Sequence, residues 1–254
     1  MTAGSSLRIT EADGVVEIVL DRERERNAID AEMVAELHDV CTDLERRPRP
    51  AIITGGANGI FAGGADIAQL RERGRADALA GINVTLFDRI RALPMPTIAA
   101  VDGYALGGGA ELSYACDLRI ITPRTVFGQP EPQLGIIAGA GATYRLVRLV
   151  GESVAKQVLL GGARITAQRA LDLGLAIDVV EPSQLLVAAH DLAASMLRSS
   201  AIALRMTKLA VDAGPDAHPQ IELAIQALLF EDDEKYERMD AFLNRKNATG
   251  RTER

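Results

Sequence analysis

Cysteine and histidine are scarce in this chain, positive charge is in deficit, and no long apolar run is present. The two cysteines, Cys41 and Cys116, sit in separate, mostly apolar helical patterns. They provide no disulfide framework, and a reducing cytoplasm is the expected compartment. His38, His190 and His218 are scattered on helices and helix edges without ligand spacing, which argues against a metal site or a histidine-based triad. Lys and Arg number 28 against 35 Asp and Glu, a net charge of −7. That balance disfavours non-specific binding to nucleic acid or an anionic membrane, while leaving room for a local basic patch facing a phosphorylated ligand. No apolar stretch approaches the length of a bilayer span, and Met1–Ser6 is small and polar, without the core of a signal peptide. There is no phosphate-binding GxxxxGK[ST] and no GxSxG elbow. Gly139-Ala140-Gly141-Ala142 faintly resembles a dinucleotide-binding turn, but it has no third glycine, no convincing strand before it and no acidic residue about twenty positions on. If the chain is catalytic, carboxylates and backbone dipoles must carry the chemistry.

The chain has 254 residues, 48% of them hydrophobic, enough for one domain or one domain with a small appendage. Leu7–Thr10 and Val15–Leu20 flank Asp13-Gly14, a hairpin signal. A charged loop with three arginines, Asp21–Asn27, follows. Asp30 is placed to cap a helix whose apolar positions Met33, Val34, Leu37, Val40, Cys41 and Leu44 keep the helical period, and Pro48 and Pro50 end it. Ala51–Thr54 reads as a strand, Gly55–Gly64 as a glycine-rich loop, Ala65–Arg73 as a helix start and Ala76–Ala92 as a second helix. Thr97–Val101 and Leu118–Ile121 read as strands around a helix over Ala110–Cys116. Val126–Gly139 holds two prolines in FGQPEPQLG and reads as irregular. Helices are expected at Gly139–Val150, Glu152–Leu160, Ala167–Leu173 (capped by Thr166) and Gln184–Leu197, with a short strand at Ile177–Val180. After Ser200 the strand signal stops, and Ala201–Ala213, Gln220–Glu231 and Asp233–Lys246 read as helices. The expected class is an α/β core over residues 1–199, with hints of repeated β-turn-helix units, and a helical region over 200–254.

The most informative stretch is Pro96–Ile121, PTIAAVDGYALGGGAELSYACDLRII. Gly107-Gly108-Gly109 at a strand-to-helix turn leave backbone N–H groups bare at the positive end of a helix dipole, a setting that suits a developing oxyanion. The triplet equally suits a tight helix-to-sheet packing contact. A second glycine-rich place, Phe61–Ile67, also precedes a helix start, and one N–H from each would make a two-donor hole. Two glutamates stand nearby. Glu111, in the first helical turn, is read locally as either a dipole-favoured surface acid or a catalytic group. Glu131, between Pro130 and Pro132, is either a solvated loop acid or the second member of a pair that holds a water and moves protons.

Over nearly its whole length the chain resembles the crotonase family, the enoyl-CoA hydratase/isomerase superfamily. RERERNAID resembles the family's adenine-side loop, FAGGADIAQL its first oxyanion segment, AAVDGYALGGGAELSYACDLRI its second, FGQPEPQLGIIAGAGATYRL the segment with the second glutamate, and EDDEKYERMDAFLNRK its final helix. The resemblance implies a spiral of ββα units with a C-terminal helical region that forms trimers, often paired into hexamers. It implies an oxyanion hole from the Ala65 and Gly108 N–H groups, and acid–base work by Glu111 on water and by Glu131 on Cα. It further implies substrate or coenzyme A contacts at Arg26, Ala28, Ala65, Asp66, Ile67, Gly108 and Gly139. Coenzyme A enters as part of the substrate, with no other cofactor and no metal. The implied reaction is syn addition of water to a trans-2-enoyl-CoA, as in β-oxidation of fatty acids. Movement of a double bond from position 3 to 2 on Glu131 alone, and acyl-CoA binding without catalysis, are the alternatives. The chain departs from the family pattern at Glu23, Pro132, Gln133, Ala138 and Tyr144. Arg245 replaces a lysine that commonly meets the coenzyme A phosphates, and Arg24 and Arg26 are further candidates for that contact. Leu70–Ile90 is expected to line the acyl end of the pocket.

Overall fold

The computed structural model describes residues 6–56 and 59–249, with side chains as far as Asn244. It contains two compact units, Met1–Ser195 and Met196–Arg254. The cut falls inside a helix, upstream of the boundary at residue 199 expected from the sequence.

The first unit opens with the anticipated hairpin, β1 (Leu7–Ala12) and β2 (Val15–Leu20), turning at Asp13 and Gly14, both with positive φ. Helix α1 (Ala31–Arg46) starts where the Asp30 carboxylate accepts from the Met33 N–H at 2.9 Å, and all six of its anticipated apolar positions are buried. The chain then alternates between two sheets. Strands β3 (Ala51–Thr54), β5 (Thr97–Val101) and β7 (Leu118–Ile121) pair in parallel in a six-stranded sheet of order β1-β2-β3-β5-β7-β10, closed by β10 (Asp178–Val179). The strand after each, β4 (Ile60–Ala62), β6 (Tyr104–Leu106) and β8 (Val126–Gly128), joins a smaller sheet of order β4-β6-β8-β9, where β9 is Ile165–Thr166. Helices follow each pair: α2 (Ile67–Glu72), α3 (Arg75–Ala80) and α4 (Ile82–Arg91) after β4, α5 (Gly108–Ala115) after β6, and α6 (Ala142–Val150) after β8. This is a succession of ββα units, each turn adding one strand to each sheet. Helices α7 (Glu152–Leu159), α8 (Ala167–Asp172) and α9 (Leu185–Leu197) complete the unit.

Several elements differ from the sequence expectation. The Gly55–Gly64 loop contains β4, Tyr104–Leu106 forms β6, and Val126–Gly139 contains β8 and a 3₁₀ turn over Glu131–Leu134. The three strands have three residues each, too few for an alternating pattern to show, and they are held by pairing across the small sheet. The single helix expected over Ala76–Ala92 is two, divided at Gly81 with φ of +64°. Thr166 ends a strand and makes no side-chain cap. In the second unit, α10 (Ala201–Asp212), α11 (Gln220–Phe230) and α12 (Asp233–Thr249) fall where expected.

Two buried polar knots tie loops to the first unit's frame. Arg119 is fully enclosed and donates to the carbonyls of Leu175, Ser113, Cys116 and Asp117, placing its cation on the C-terminal end of α5. Asn27, at φ +52°, accepts from the Arg22 N–H through Oδ1 and donates through Nδ2 to the carbonyls of Gly55, Ile60 and Phe61. It thereby fastens the arginine-rich loop to β4 and to Gly55, just after β3. Replacing a buried amide with this many partners leaves several carbonyls unsatisfied. Asn27→Ala is therefore expected to lower stability by about 3 kcal/mol, read as a reduced urea midpoint at unchanged m-value.

Candidate active site

The glycine triplet does two jobs at once. A Cβ on Gly109 would stand 2.2 Å from the Ala62 carbonyl oxygen, so α5 packs its backbone directly on β4. Gly107, with φ of +51°, turns the chain from β6 into α5, and a Cβ there would meet Glu131 Oε1 at 2.5 Å. The turn brings Gly108 alongside the other glycine-rich segment, since a Cβ on Gly108 would lie 3.4 Å from the Ala65 nitrogen. That segment is itself registered by three backbone bonds: Gly63 N–H to Arg26 O, Ile29 N–H to Gly64 O and Asp66 N–H to Ile29 O. Among the described residues neither the Ala65 nor the Gly108 N–H donates to a protein acceptor. Two adjacent N–H groups thus face one cavity, Gly108 being the first residue of α5, where the dipole adds to its pull on negative charge.

Both glutamates reach the same cavity, which has a volume of about 510 Å³ and is also lined by Ala65, Gly108 and Gly139. Glu111 is 3% exposed and Glu131 9%. The surface-acid reading of Glu111 and the solvated-loop reading of Glu131 are both excluded by this burial. Glu111 Oε1 accepts from the Ala140 N–H at 2.8 Å and the Ala142 N–H at 3.0 Å. Those donors come from Gly139-Ala140-Gly141-Ala142, the turn that resembled a nucleotide-binding loop and here cradles a carboxylate. Burial pushes the Glu111 pKa up to about 7, against the pull of the two N–H donors and of Arg145, and with help from the negative charge of Glu131. Burial raises Glu131 as well.

Two residues that the sequence did not single out, Arg145 and Gln129, support the pair. Arg145, 3% exposed, donates from Nη1 to the Ala140 carbonyl at 2.8 Å and forms an ion pair with Asp88 on α4. It fastens the cradle of Glu111 to the wall of the cavity. With its amide turned so that the nitrogen and not the oxygen faces the carboxylate, the orientation that satisfies its neighbours, Gln129 donates to Glu131 Oε2 at 2.9 Å. Buried arginine and glutamine have no sequence signature apart from their partners, so neither could have been found before the fold was known. Tyr144, a departure from the family pattern, gives its hydroxyl to Asp88 at 2.9 Å, joining the same cluster.

The remaining residues implied to touch substrate or coenzyme A lie outside the cavity wall. Arg26 and Ala28 belong to the loop held by Asn27, next to Gly63. Asp66 caps α2 through the Gln69 N–H, and Ile67 is exposed. The side chain of Arg245 lies outside the described residues. Among the described residues no group of acidic, histidine and cysteine side chains could hold a metal ion.

The raised Glu111 pKa has a consequence for stability. A carboxyl that ionises near 7 in the folded chain and near 4.5 in the unfolded one binds its proton more tightly when folded. Its contribution is complete below 4.5 and lost as pH rises through about 7. Glu111→Gln should therefore gain stability relative to the parent chain between pH 5 and pH 8, measured by urea midpoints across that range.

Comparison with known proteins agrees with this geometry. A profile for enoyl-CoA hydratase/isomerase matches residues 10–249. A short-chain-enoyl-CoA hydratase of Clostridium acetobutylicum is 35% identical, over 95% of this chain and 96% of its own length. A 2,3-dehydroadipyl-CoA hydratase of Escherichia coli is 37% identical, over 95% and 97% respectively. The crystal structure of an enoyl-CoA hydratase from Bacillus anthracis superposes with a TM-score of 0.89 at 32% identity, covering 94% of this chain and 96% of that one. With its two glutamates and two free N–H groups on one cavity, the chain belongs to the enoyl-CoA hydratase/isomerase family.

Proposed function

We propose that this protein is an enoyl-CoA hydratase, adding water syn across the double bond of a trans-2-enoyl-CoA to give a 3-hydroxyacyl-CoA. The observation that carries the reading is the convergence of two buried carboxylates and two unpaired N–H groups on one cavity. The Ala65 and Gly108 N–H groups receive the thioester oxygen. Charge that builds there as Cβ is attacked is stabilised by donors already in place, each worth about 3 kcal/mol in the transition state. Glu111 and Glu131 hold the water between them. Glu111 takes a proton as the hydroxyl bonds to Cβ, and Glu131 gives its proton to Cα. One proton stays on the pair throughout, moving from one carboxyl to the other, and the next water redistributes it. Isomerisation would run on Glu131 alone and leave the hydrogen-bonded cradle of Glu111 without a use.

The reaction needs the pair to carry a single proton, and burial with mutual repulsion preserves that state towards neutrality. The alkaline limb of the kcat–pH profile is therefore expected well above the ordinary carboxylate range, with an apparent value that belongs to the pair.

The carrier's nucleotide end is assigned to the loop of Arg24, Arg26 and Ala28, beside the thioester site. The second unit supports the proposal of a homotrimer, or a hexamer of two trimers. Its helices expose the apolar side chains of Leu209, Val211, Leu223, Phe230 and Phe242, which an interface between copies would cover. No helix among the described residues is long and apolar enough to cross a membrane. Cys41 and Cys116 are both buried and lie in separate elements, which supports a cytoplasmic location.

Turnover of crotonyl-CoA, followed by loss of the enoyl-thioester absorbance, tests the reading. Glu111→Gln and Glu131→Gln are each expected to lower kcat by about a hundredfold or more. Gly107→Ala should also lower kcat, because its methyl group would stand 2.5 Å from Glu131 Oε1 and push the carboxylate out of place. An inactive parent chain, or variants as active as the parent, would overturn the assignment.

A further inference from the structure

The wall of the cavity away from the glutamates is mostly apolar, with Leu70, Ile82, Val84, Ile136 and Ile137 among its residues, but one cation interrupts it. Arg73, the residue that closes α2, is the only base among the described residues lining the cavity. It is half-buried and makes no ion pair among the described residues. Its one side-chain hydrogen bond among the described residues is a long one, Nη1 to Asn83 Oδ1 at 3.5 Å. Asn83 also lines the cavity, and its amide nitrogen lies 3.8 Å from the position a Cβ on Gly108 would take. The polar track therefore runs from the oxyanion donor, across the Asn83 amide, to the Arg73 guanidinium. Glu72, its neighbour in sequence, is exposed and does not line the cavity. Asp77, which does, forms no ion pair with it among the described residues, and its Oδ2 accepts from the Gly74 N–H at 2.8 Å.

A guanidinium without a counter-ion beside an apolar pocket is a poor seat for an alkyl chain end, which would strip its water and return no charge-assisted bond. It is a good seat for a carboxylate, whose two oxygens match the guanidinium fork. We propose that Arg73, assisted by Asn83, is the receptor for a negatively charged acyl terminus, so that the preferred substrate is a short enoyl-CoA ending in a carboxylate. This inference rests on the hydratase reading for its orientation: the thioester at Gly108 and Ala65 sends the acyl chain past Asn83 towards Arg73. The competing source of the same chemistry is a phosphate of the carrier. The loop that holds Arg26 and Ala28 supplies no residue to this cavity, which favours the acyl terminus.

The test compares hydration of trans-2-hexenedioyl-CoA (the monothioester) with that of trans-2-hexenoyl-CoA in the parent chain, Arg73→Met and Arg73→Lys, with crotonyl-CoA as reference. Titration with the saturated adipoyl-CoA and hexanoyl-CoA runs alongside. The parent chain should favour the carboxylate-ended substrate in kcat/KM by about 10- to 100-fold, the range of one charge-assisted contact. Arg73→Met should abolish that preference and Arg73→Lys keep part of it. A parent preference near one, or a preference that survives Arg73→Met, overturns the proposal. So does an equal rise in KM for all three substrates, which would assign Arg73 to a carrier phosphate. If no enoyl-CoA is turned over, the hydratase reading fails, and the titrations decide separately. Tighter binding of adipoyl-CoA that is lost in Arg73→Met upholds the receptor, and equal binding of the two saturated thioesters overturns it.

Discussion

The bond on which this site depends is the one between the Glu111 carboxylate and the N–H groups of Ala140 and Ala142. A buried carboxylate is costly unless something replaces the water it has lost. Here the replacement is a glycine-rich turn that exposes two donors to a single oxygen and leaves the other for chemistry. The remaining parts follow from keeping that turn in place. Arg145 holds its carbonyl, Asp88 holds Arg145, and Asp88 belongs to the helix that forms the cavity wall. The two donors soften the effect of burial without cancelling it, so Glu111 can both hold and release a proton near neutrality.

The same economy governs the proposed oxyanion donors. Neither N–H belongs to a side chain, so their placement depends on backbone geometry at two glycine-rich turns on different ββα units. The spiral solves this by stacking β4 against β6 in the smaller sheet. With Gly109 bare of a side chain, α5 comes close enough to β4 for Gly108 to sit beside Ala65. The packing reading of the triplet holds at Gly109, while Gly108 presents the free N–H on which the oxyanion reading rests. Asn27 extends the arrangement by fastening the arginine-rich loop to β4, so the loop proposed for the carrier and the hole for its thioester share one frame.

The cavity adds a second layer of selection. Its reactive end is built from backbone and carboxylates, while its far wall is built mainly from side chains of the α2 to α4 segment, with Ile136 and Ile137. That segment is broken into short helices by Gly74 and Gly81; α2 and α3 bury no side chain, and Leu86, Phe87 and Ile90 of α4 anchor it to the core. Side chains there can change without disturbing the sheets, which makes it the natural place for substrate preference to be written.

The sequence alone determined what local physics enforces: the hairpin at Asp13-Gly14, the Asp30-capped helix with its six buried apolar positions, the longer strands, and the three helices of the second unit. Its motifs also carried the family, together with the two glutamates and two N–H groups that meet in the cavity. It did not contain β4, β6 and β8, whose three residues each are held by neighbours far along the chain. Nor did it distinguish buried from solvated glutamates, because a carboxylate's burial is a property of what surrounds it. Arg145, Gln129, Arg73 and Asn83 were silent for the same reason. A polar side chain acquires its role from the donors, acceptors and apolar walls that folding brings around it, and these come from residues that have no local relation to it.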